Sequence, residues 1–326
     1  MTLRWLLIGI AAAALIALPF VYKQPYHLHV LVLILIWSFA YTSWSVMGRF
    51  GLLSLGHGGF MGVGAYVTAL LWNHLGVSPW IGIPLALLAA GLLAMVVGYP
   101  CFRFRIIGHY FALVTLALSG IVLQVITATR DHTGGSLGYT PERTKGSVLA
   151  AVQFVDKETW YLIALGVWAL GLVIWYRVDG SMLRQAMEAI AEDEDAAAAA
   201  GINVTAEKLK VTLLSAVMTA FAGALYCQYQ LFISPDTVSG ISVSLQMVFA
   251  AVVGGIYVAF GPTVGAVITI VLAEVLRISF GTRAVGWDNL VYGVLLVIFI
   301  VFLPKGILGS LLALRRPRRR EAVPAT

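Results

Sequence analysis

The sequence predicts an all-α, polytopic bundle of about ten membrane-spanning helices, and three observations carry that prediction. The first is composition: 60% of the residues are hydrophobic, 11% are charged and the mean hydropathy is +0.92. A soluble domain carries roughly 25% charged residues. The second is run length. Backbone polar groups in lipid must be satisfied within the segment, so a helical span needs about 20 mostly apolar residues, and the chain supplies such runs repeatedly. The third is the absence of alternation: Val30–Trp37 and Leu290–Leu303 are continuously apolar, whereas the strands of membrane β-barrels alternate.

In order, the candidate spans are 4–22, 28–48, 51–72, 79–99, 107–128, 160–176, 210–232, 244–260, 262–279 and 288–303. The third, eighth and ninth are Gly-rich or short. Met1–Pro19 has the form of a signal peptide, with one Arg, an apolar run and several alanines. The chain beyond it is itself membrane-embedded, so the segment is read as an uncleaved first span. Residues 1–326 then form one transmembrane domain with an outer loop at 129–159, a charged island at 177–210 and a basic tail at 304–326.

The net charge of +6 is not spread as a nucleic-acid surface would require. Five arginines crowd into Arg315–Arg320, directly after the last span, which is the pattern of a cytoplasmic flank meeting anionic lipid. With the N-terminus inside, the cytoplasmic cations are Arg4, Arg49, Arg103, Arg105, Arg177, Arg184, Lys208, Lys210, Lys305 and the terminal arginines. The other side holds Lys23, Arg130, Arg143, Lys145, Lys157 and Arg283, with Arg277 near a helix end. The bias is about two to one in the direction that sets orientation, and it puts both termini, the island and the tail in the cytoplasm. Cys101 and Cys227 lie at or within apolar segments, so no disulfide framework is implied.

The outer loop carries Gly134, Gly135, Gly138 and Pro141, which break it into turns. Contact with a substrate-delivery protein and a solvated connector both fit it.

Glycines interrupt two spans. Gly51–Tyr66 contains Gly51, Gly56, Gly58, Gly59, Gly62 and Gly64, and each costs a regular helix roughly 1 kcal/mol relative to alanine. Close helix packing through Gly58 and Gly62 would compensate; so would a helix that unwinds to line a solute path. Val252–Gly265 carries Gly254, Gly255, Gly261, Pro262 and Gly265. These breaks fall on the third and eighth spans, five apart, as two inverted five-helix halves would place them, although no residue-level repeat is visible. The candidate translocation path is therefore Ser54, His57, Gly58, Gly59, Gly62, Gln246, Gly254 and Gly255. His57 equally suits a hydrogen-bonded packing role. Thr115, Ser119 and Gln124 are expected to share a face of the fifth span, and Ser244 and Gln246 to open the eighth, as helix–helix contacts. Glu274 and Arg277, at i and i+3, can pair. With His57 they are the only buried charge candidates.

The island is built like a folded element. Ser181 is a good N-cap for a helix reaching Ile190, and Met182, Leu183, Ala186, Met187 and Ile190 make an apolar stripe at helical spacing. The acidic run Glu192–Asp195 suits the positive end of a second helix, five alanines continue it, and Gly201 supplies a left-handed stop. The result is a rigid elbow whose small side chains let another backbone approach; an inert connector needs none of these features.

Asp195-Ala196-Ala197, three further residues and Gly201 resemble the Glu-Ala-Ala-x3-Gly signature of ABC importer permeases. Together with GLLSLGHGGFMGVGAYVTALL, RQAMEAIAEDEDAAAAAGINV, TAFAGALYCQYQLFISPD and PKGILGSL, this similarity identifies the chain, over roughly residues 30–312, with the permease subunits of high-affinity branched-chain amino acid ABC importers. The resemblance implies that Glu188, Ala189, Ile190, Glu192, Asp193, Glu194, Asp195, Ala196, Ala197 and Gly201 form the loop that docks on an ATPase. Asp195 replaces the signature's Glu, and Ala191 stands where an arginine is common in the family. It further implies a heterodimer with a related permease, two ATP-binding subunits, a periplasmic solute-binding protein and an inner-membrane location. Close relatives carry urea or short amides, which keeps that alternative open.

The chain has no Gly-x4-Gly-Lys-Ser/Thr phosphate loop and no metal or nucleophile constellation, so neither a cofactor nor an enzymatic activity of its own is expected. An ion-coupled secondary transporter would need membrane-embedded carboxylates, and only Glu274 qualifies. A passive channel would not need the elbow.

Overall fold

The structure is a computed structural model that describes residues 2–21, 24–144, 146–280, 290–291, 294, 298 and 306–315. Among them the regular secondary structure is all helical apart from one isolated antiparallel bridge, Tyr139 with Ile233. The long helices are α1 (Thr2–Val21), α2 (Pro25–Gly48), α3 (His57–Leu75), α4 (Pro79–Arg103) and α5 (Gly108–Ala128). After the short α6 (Arg130–Thr133) and α7 (Val148–Ala151) come α8 (Lys157–Asp179), α9 (Met182–Glu192), α10 (Glu194–Ala199) and α11 (Val204–Gln230). The short α12 (Pro235–Val238) leads into α13 (Ile241–Gly254), α14 (Gly261–Phe280) and α15 (Gly306–Arg315).

Among the described residues, six segments are long and apolar enough to cross a membrane: α2, α4, α5, α8, α11 and the α12–α13 pair. At 19 residues α3 is long enough, but its glycines and polar residues dilute its hydropathy. The boundaries follow local chemistry. Pro25 opens α2 where a helix needs no N–H. Gly76, at φ +61°, closes α3 through bonds to Leu71 and Trp72, and the Ser78 side chain caps α4 at Trp80 N.

The centre is α2, α3 and α11, with α4, α8 and α14 packed round them. Small residues set the spacing. A Cβ on Gly64 would collide with the Ala220 backbone, and one on Gly223 with the Met61 carbonyl, so α3 and α11 touch backbone to backbone. Ala86, Ala90 and Ala94 are fully buried along α4, whose Gly91 and Gly98 face Leu213 and Leu209 of α11. This is the small-residue packing that replaces a hydrophobic driving force in lipid.

The bundle has two distinct ends. One gathers α9, α10, Arg49 and the α4–α5 turn at Arg105. The other gathers residues 129–144 and 146–156, which are pinned rather than free. Trp72 Nε1 donates to Glu142 O at 2.8 Å, Asn73 bonds Thr140 and Glu142, and Trp80 Nε1 reaches Leu149 O at 2.8 Å.

Three expectations are corrected, at the third span, the eighth span and Gln124. The third span does not begin at 51: residues 51–56 are non-helical, and α3 runs unbroken from His57. The eighth ends at Gly254 and the residues to 260 form a turn. Thr115 and Ser119 are buried but Gln124 is exposed, because nine residues at 100° per residue put it on the opposite side of α5. Glu274 accepts a hydrogen bond from the Tyr26 hydroxyl; the Arg277 side chain and most of the tenth candidate span lie outside the described residues. Cys101 and Cys227 are free and buried.

Candidate functional site

The elbow forms as two helical arms meeting at Asp193. That residue leaves the helical region at φ −155°, ψ 115°, and its carboxylate caps α10 by accepting from Asp195 N and Ala196 N at 2.9 and 3.0 Å. Ser181 sits at the N-cap of α9, but its hydroxyl turns back to Val178 O. The second arm ends on Gly201 at φ +90°, where a residue with a Cβ would be strained. Met187, Ile190 and Ala197 are buried, holding the arms on the bundle. Glu188, Ala189, Glu192, Asp193, Asp195, Ala196 and Gly201 are exposed, as is Met182, the first residue of the expected stripe; Glu194 is half-buried. The outward face is therefore acidic and small.

Ionic contacts tie the elbow to α8, α11 and the α4–α5 turn. Glu194 pairs with Lys208 of α11, whose side chain is 4% exposed and whose Nζ lies 5.9 Å from the Phe102 ring centroid. Arg105, at the α4–α5 turn, pairs with Asp195 at 2.8 Å, both groups solvent-facing. Asp179, the last residue of α8, takes Arg49 at 3.0 Å and Arg184 at 3.2 Å, and Arg184 Nε reaches Glu188 at 2.7 Å. Burial lowers the pKa of Arg49 from the usual arginine value while Asp179 acts the other way. Arg184 is raised, chiefly by its bond to Glu188.

Of the path candidates, the structure brings Ser54, His57, Gly58, Gly59 and Gly62 together. His57 is fully buried, its Nδ1 3.2 Å from Ser54 Oγ and its Nε2 2.7 Å from Ser215 Oγ. Ser215 Oγ donates to Ser43 O at 2.6 Å, so it accepts from His57, which assigns the ring proton to Nε2. Gly58 N donates to Ser244 Oγ at 2.8 Å, and a Cβ on Gly58 would sit 2.5 Å from Gly240 O. Gly62 lies against Ser239, and Gly59 against Ser119. The glycines of α3 thus serve close packing, Gly58 and Gly62 by the α12–α13 turn, Gly59 by α5 and Gly64 by α11, and the helix does not unwind there.

Gln246, Gly254 and Gly255 are not part of this cluster. Gln246 is half-buried on α13, whose Ser244 makes the contact with α3. Gly254 lies ten residues further along, about 15 Å at 1.5 Å per residue. There it abuts the Gly261 backbone, while Gly255 turns the chain at φ +117°.

Sequence reasoning missed Arg49, Asp179, Arg105 and Lys208 as partners of the elbow. Arg184 and Glu188 carried a readable signal, an i,i+4 spacing. The others are joined only by the fold.

The family described as branched-chain amino acid transport system / permease component matches residues 26–300. The chain is 31% identical over 288 residues to the high-affinity branched-chain amino acid transport system permease protein LivM of Salmonella typhimurium, covering 81% of this chain and 65% of that protein. The figures are the same for LivM of Escherichia coli. It is 26% identical over 280 residues to the permease protein LivH of Salmonella typhimurium, covering 81% of this chain and 88% of LivH. The chain therefore spans 65% of the length of its LivM relatives. No solved structure matches.

Proposed function

The chain belongs to the branched-chain amino acid transport permease family, and from that premise we propose that it is the membrane-spanning permease subunit of an ABC importer for branched-chain amino acids. The observation that carries this reading is the elbow: two helical arms, the second capped by Asp193, with an acidic, small-residue outer face, tied by ion pairs to the α4–α5 turn, α8 and α11. Such an element can receive the movement of an ATPase and pass it to several helices at once. Glu188, Ala189, Ile190, Glu192–Ala197 and Gly201 would form the docking surface or its support.

Similarity to both LivM and LivH supports pairing with a related permease chain. Two ATP-binding subunits and a periplasmic solute-binding protein complete the assembly. The charge bias supports ten crossings of the bacterial inner membrane with both termini in the cytoplasm, and the pinned residues 129–144 and 146–156 would then face the binding protein. ATP is hydrolysed by the partner subunits, and no catalytic residue, metal or resident cofactor is assigned to this chain. The path would follow the Ser54–Gly62 cluster, with Gln246, Gly254 and Gly255 lining it from the inverted half.

The test is uptake of labelled leucine into proteoliposomes holding the full complex, with and without ATP. ATP-dependent uptake supports the proposal. Uptake driven by an ion gradient alone would replace it with a secondary transporter, and uptake without any energy source with a channel.

A further inference from the structure

One buried arginine ties the central helix to the elbow. Arg49 comes directly after α2 and its side chain is 4% exposed. Its guanidinium lies 4.8 Å from the centroid of the Phe50 ring and 4.5 Å from that of Trp175. Nη1 donates to Asp179 at 3.0 Å, the same oxygen takes Arg184, and Arg184 Nε reaches Glu188 at 2.7 Å. A continuous relay thus runs from α2 through the end of α8 to the first arm of the elbow.

The arginine is only half used. Its Nε and Nη2 are buried and have no partner among the described residues. These two adjacent donors form one edge of the guanidinium fork, the geometry that a single carboxylate fills with both oxygens. Leaving such donors unmet is unfavourable, so the arrangement is not explained by stability alone. Arg49 lines a cavity of about 260 Å³ together with Glu188, Ala191, Glu192 and Tyr257. Glu192 is exposed and makes no ion pair among the described residues. Asp179 and Arg184, already paired with each other, line the same cavity.

We propose that Arg49 is the positioning residue that hands displacement of the elbow to α2, with Glu192 crossing the cavity to take the free edge of its guanidinium in the ATP-driven state. The proposal rests on the importer reading. It makes the Arg49–Asp179 pair the resting contact and the Arg49–Glu192 pair the working one. Tyr257, on the α13–α14 turn, shares the cavity and would feel the same shift.

The test uses the full complex with its ATPases and binding protein in proteoliposomes, measuring leucine transported per ATP hydrolysed and the thermal midpoint. Arg49→Lys keeps the cation but loses the fork; Glu192→Gln keeps the shape and breaks no ion pair of the resting structure. Both should lower the transport ratio on the order of tenfold, within the usual range of energetic coupling between sites, and Glu192→Gln should leave the midpoint at its wild-type value. A normal ratio in Glu192→Gln overturns the proposal. So does an Arg49→Lys complex that is less stable but transports normally per ATP, because a purely structural arginine would behave that way. If the wild-type complex itself moves no leucine on ATP, the importer reading fails first.

Discussion

At the scale of single residues, the glycines of α3 make the most direct claim. A Cβ on Gly58 would stand 2.5 Å from the Gly240 carbonyl and one on Gly62 would run into Ser239, whereas Gly120 on α5 has nothing within 4 Å. Overfilling a packed contact costs about 1–3 kcal/mol, and here the obstructions are the Gly240 carbonyl and the Ser239 Cβ, neither of which a side-chain rotation can move away. Gly58→Leu and Gly62→Leu should therefore abolish leucine uptake while the protein still inserts and still binds its ATPases. Gly120→Ala should transport normally. Wild-type uptake in both leucine variants would mean that this face of α3 meets lipid. The neighbouring His57 belongs to the same packed region. Its two ring nitrogens have hydroxyl partners, so it is already a satisfied member of the core, and any role in the path requires those bonds to exchange.

At the scale of the element, the elbow separates two kinds of ion pair. Asp195 and Arg105 are 76% and 69% exposed, and such pairs contribute about 0–1 kcal/mol. Lys208 is 4% exposed against Glu194; removing the partner of a buried charge costs about 3–5 kcal/mol. Glu194→Gln should therefore loosen α10, read as faster amide exchange over 194–199 and a lower thermal midpoint, while Asp195→Asn should change neither measurably. Equal behaviour of the two variants would refute the distinction. Gly201→Val tests the turn separately. There is open space round Gly201, so the cost is the left-handed backbone, about 1–2 kcal/mol and more for a branched side chain, and substrate-stimulated ATPase activity should fall. An unchanged ATPase response would count against it. The arms themselves were legible in the sequence, because an acidic first turn, an alanine run and a terminal glycine are local signals. Their anchors were not: Arg49 and Asp179 stand 130 positions apart, and no spacing rule joins them. The edges of α3 slipped for a related reason. The string 51–56 is as apolar as a helix, but the chain is turning between α2 and α3 there.

At the scale of the whole molecule, the placement of charge decides how a zwitterion would pass under the proposed importer reading. Every described Lys/Arg–Asp/Glu pair lies at or beside the elbow: Arg49 and Arg184 with Asp179, Arg184 with Glu188, Arg105 with Asp195, Lys208 with Glu194, Lys210 with Glu207. Inside the bundle the buried polar residues are mostly hydroxyls bonded to helix carbonyls or to one another, as with Ser43 and Thr219 at 2.7 Å. Such groups can pass a carboxylate and an ammonium along exposed backbone at helix ends, but they offer no fixed counter-charge to hold either. The walls between them are glycine, alanine and aliphatic side chains, which suit a leucine-sized apolar chain. Affinity should then reside in the separate binding protein, and the purified permease complex lacking that protein should bind leucine, isoleucine and valine more weakly than micromolar, less than about 8 kcal/mol of binding free energy. Calorimetry or equilibrium dialysis on that complex gives the answer. Micromolar or tighter binding would mean that a charged site exists within the bundle, and uptake restricted to a sugar or a charged solute would remove the substrate class altogether. Uptake confined to urea would keep the neutral path and change only its cargo, since a small uncharged amide needs even less from these walls than a zwitterion does.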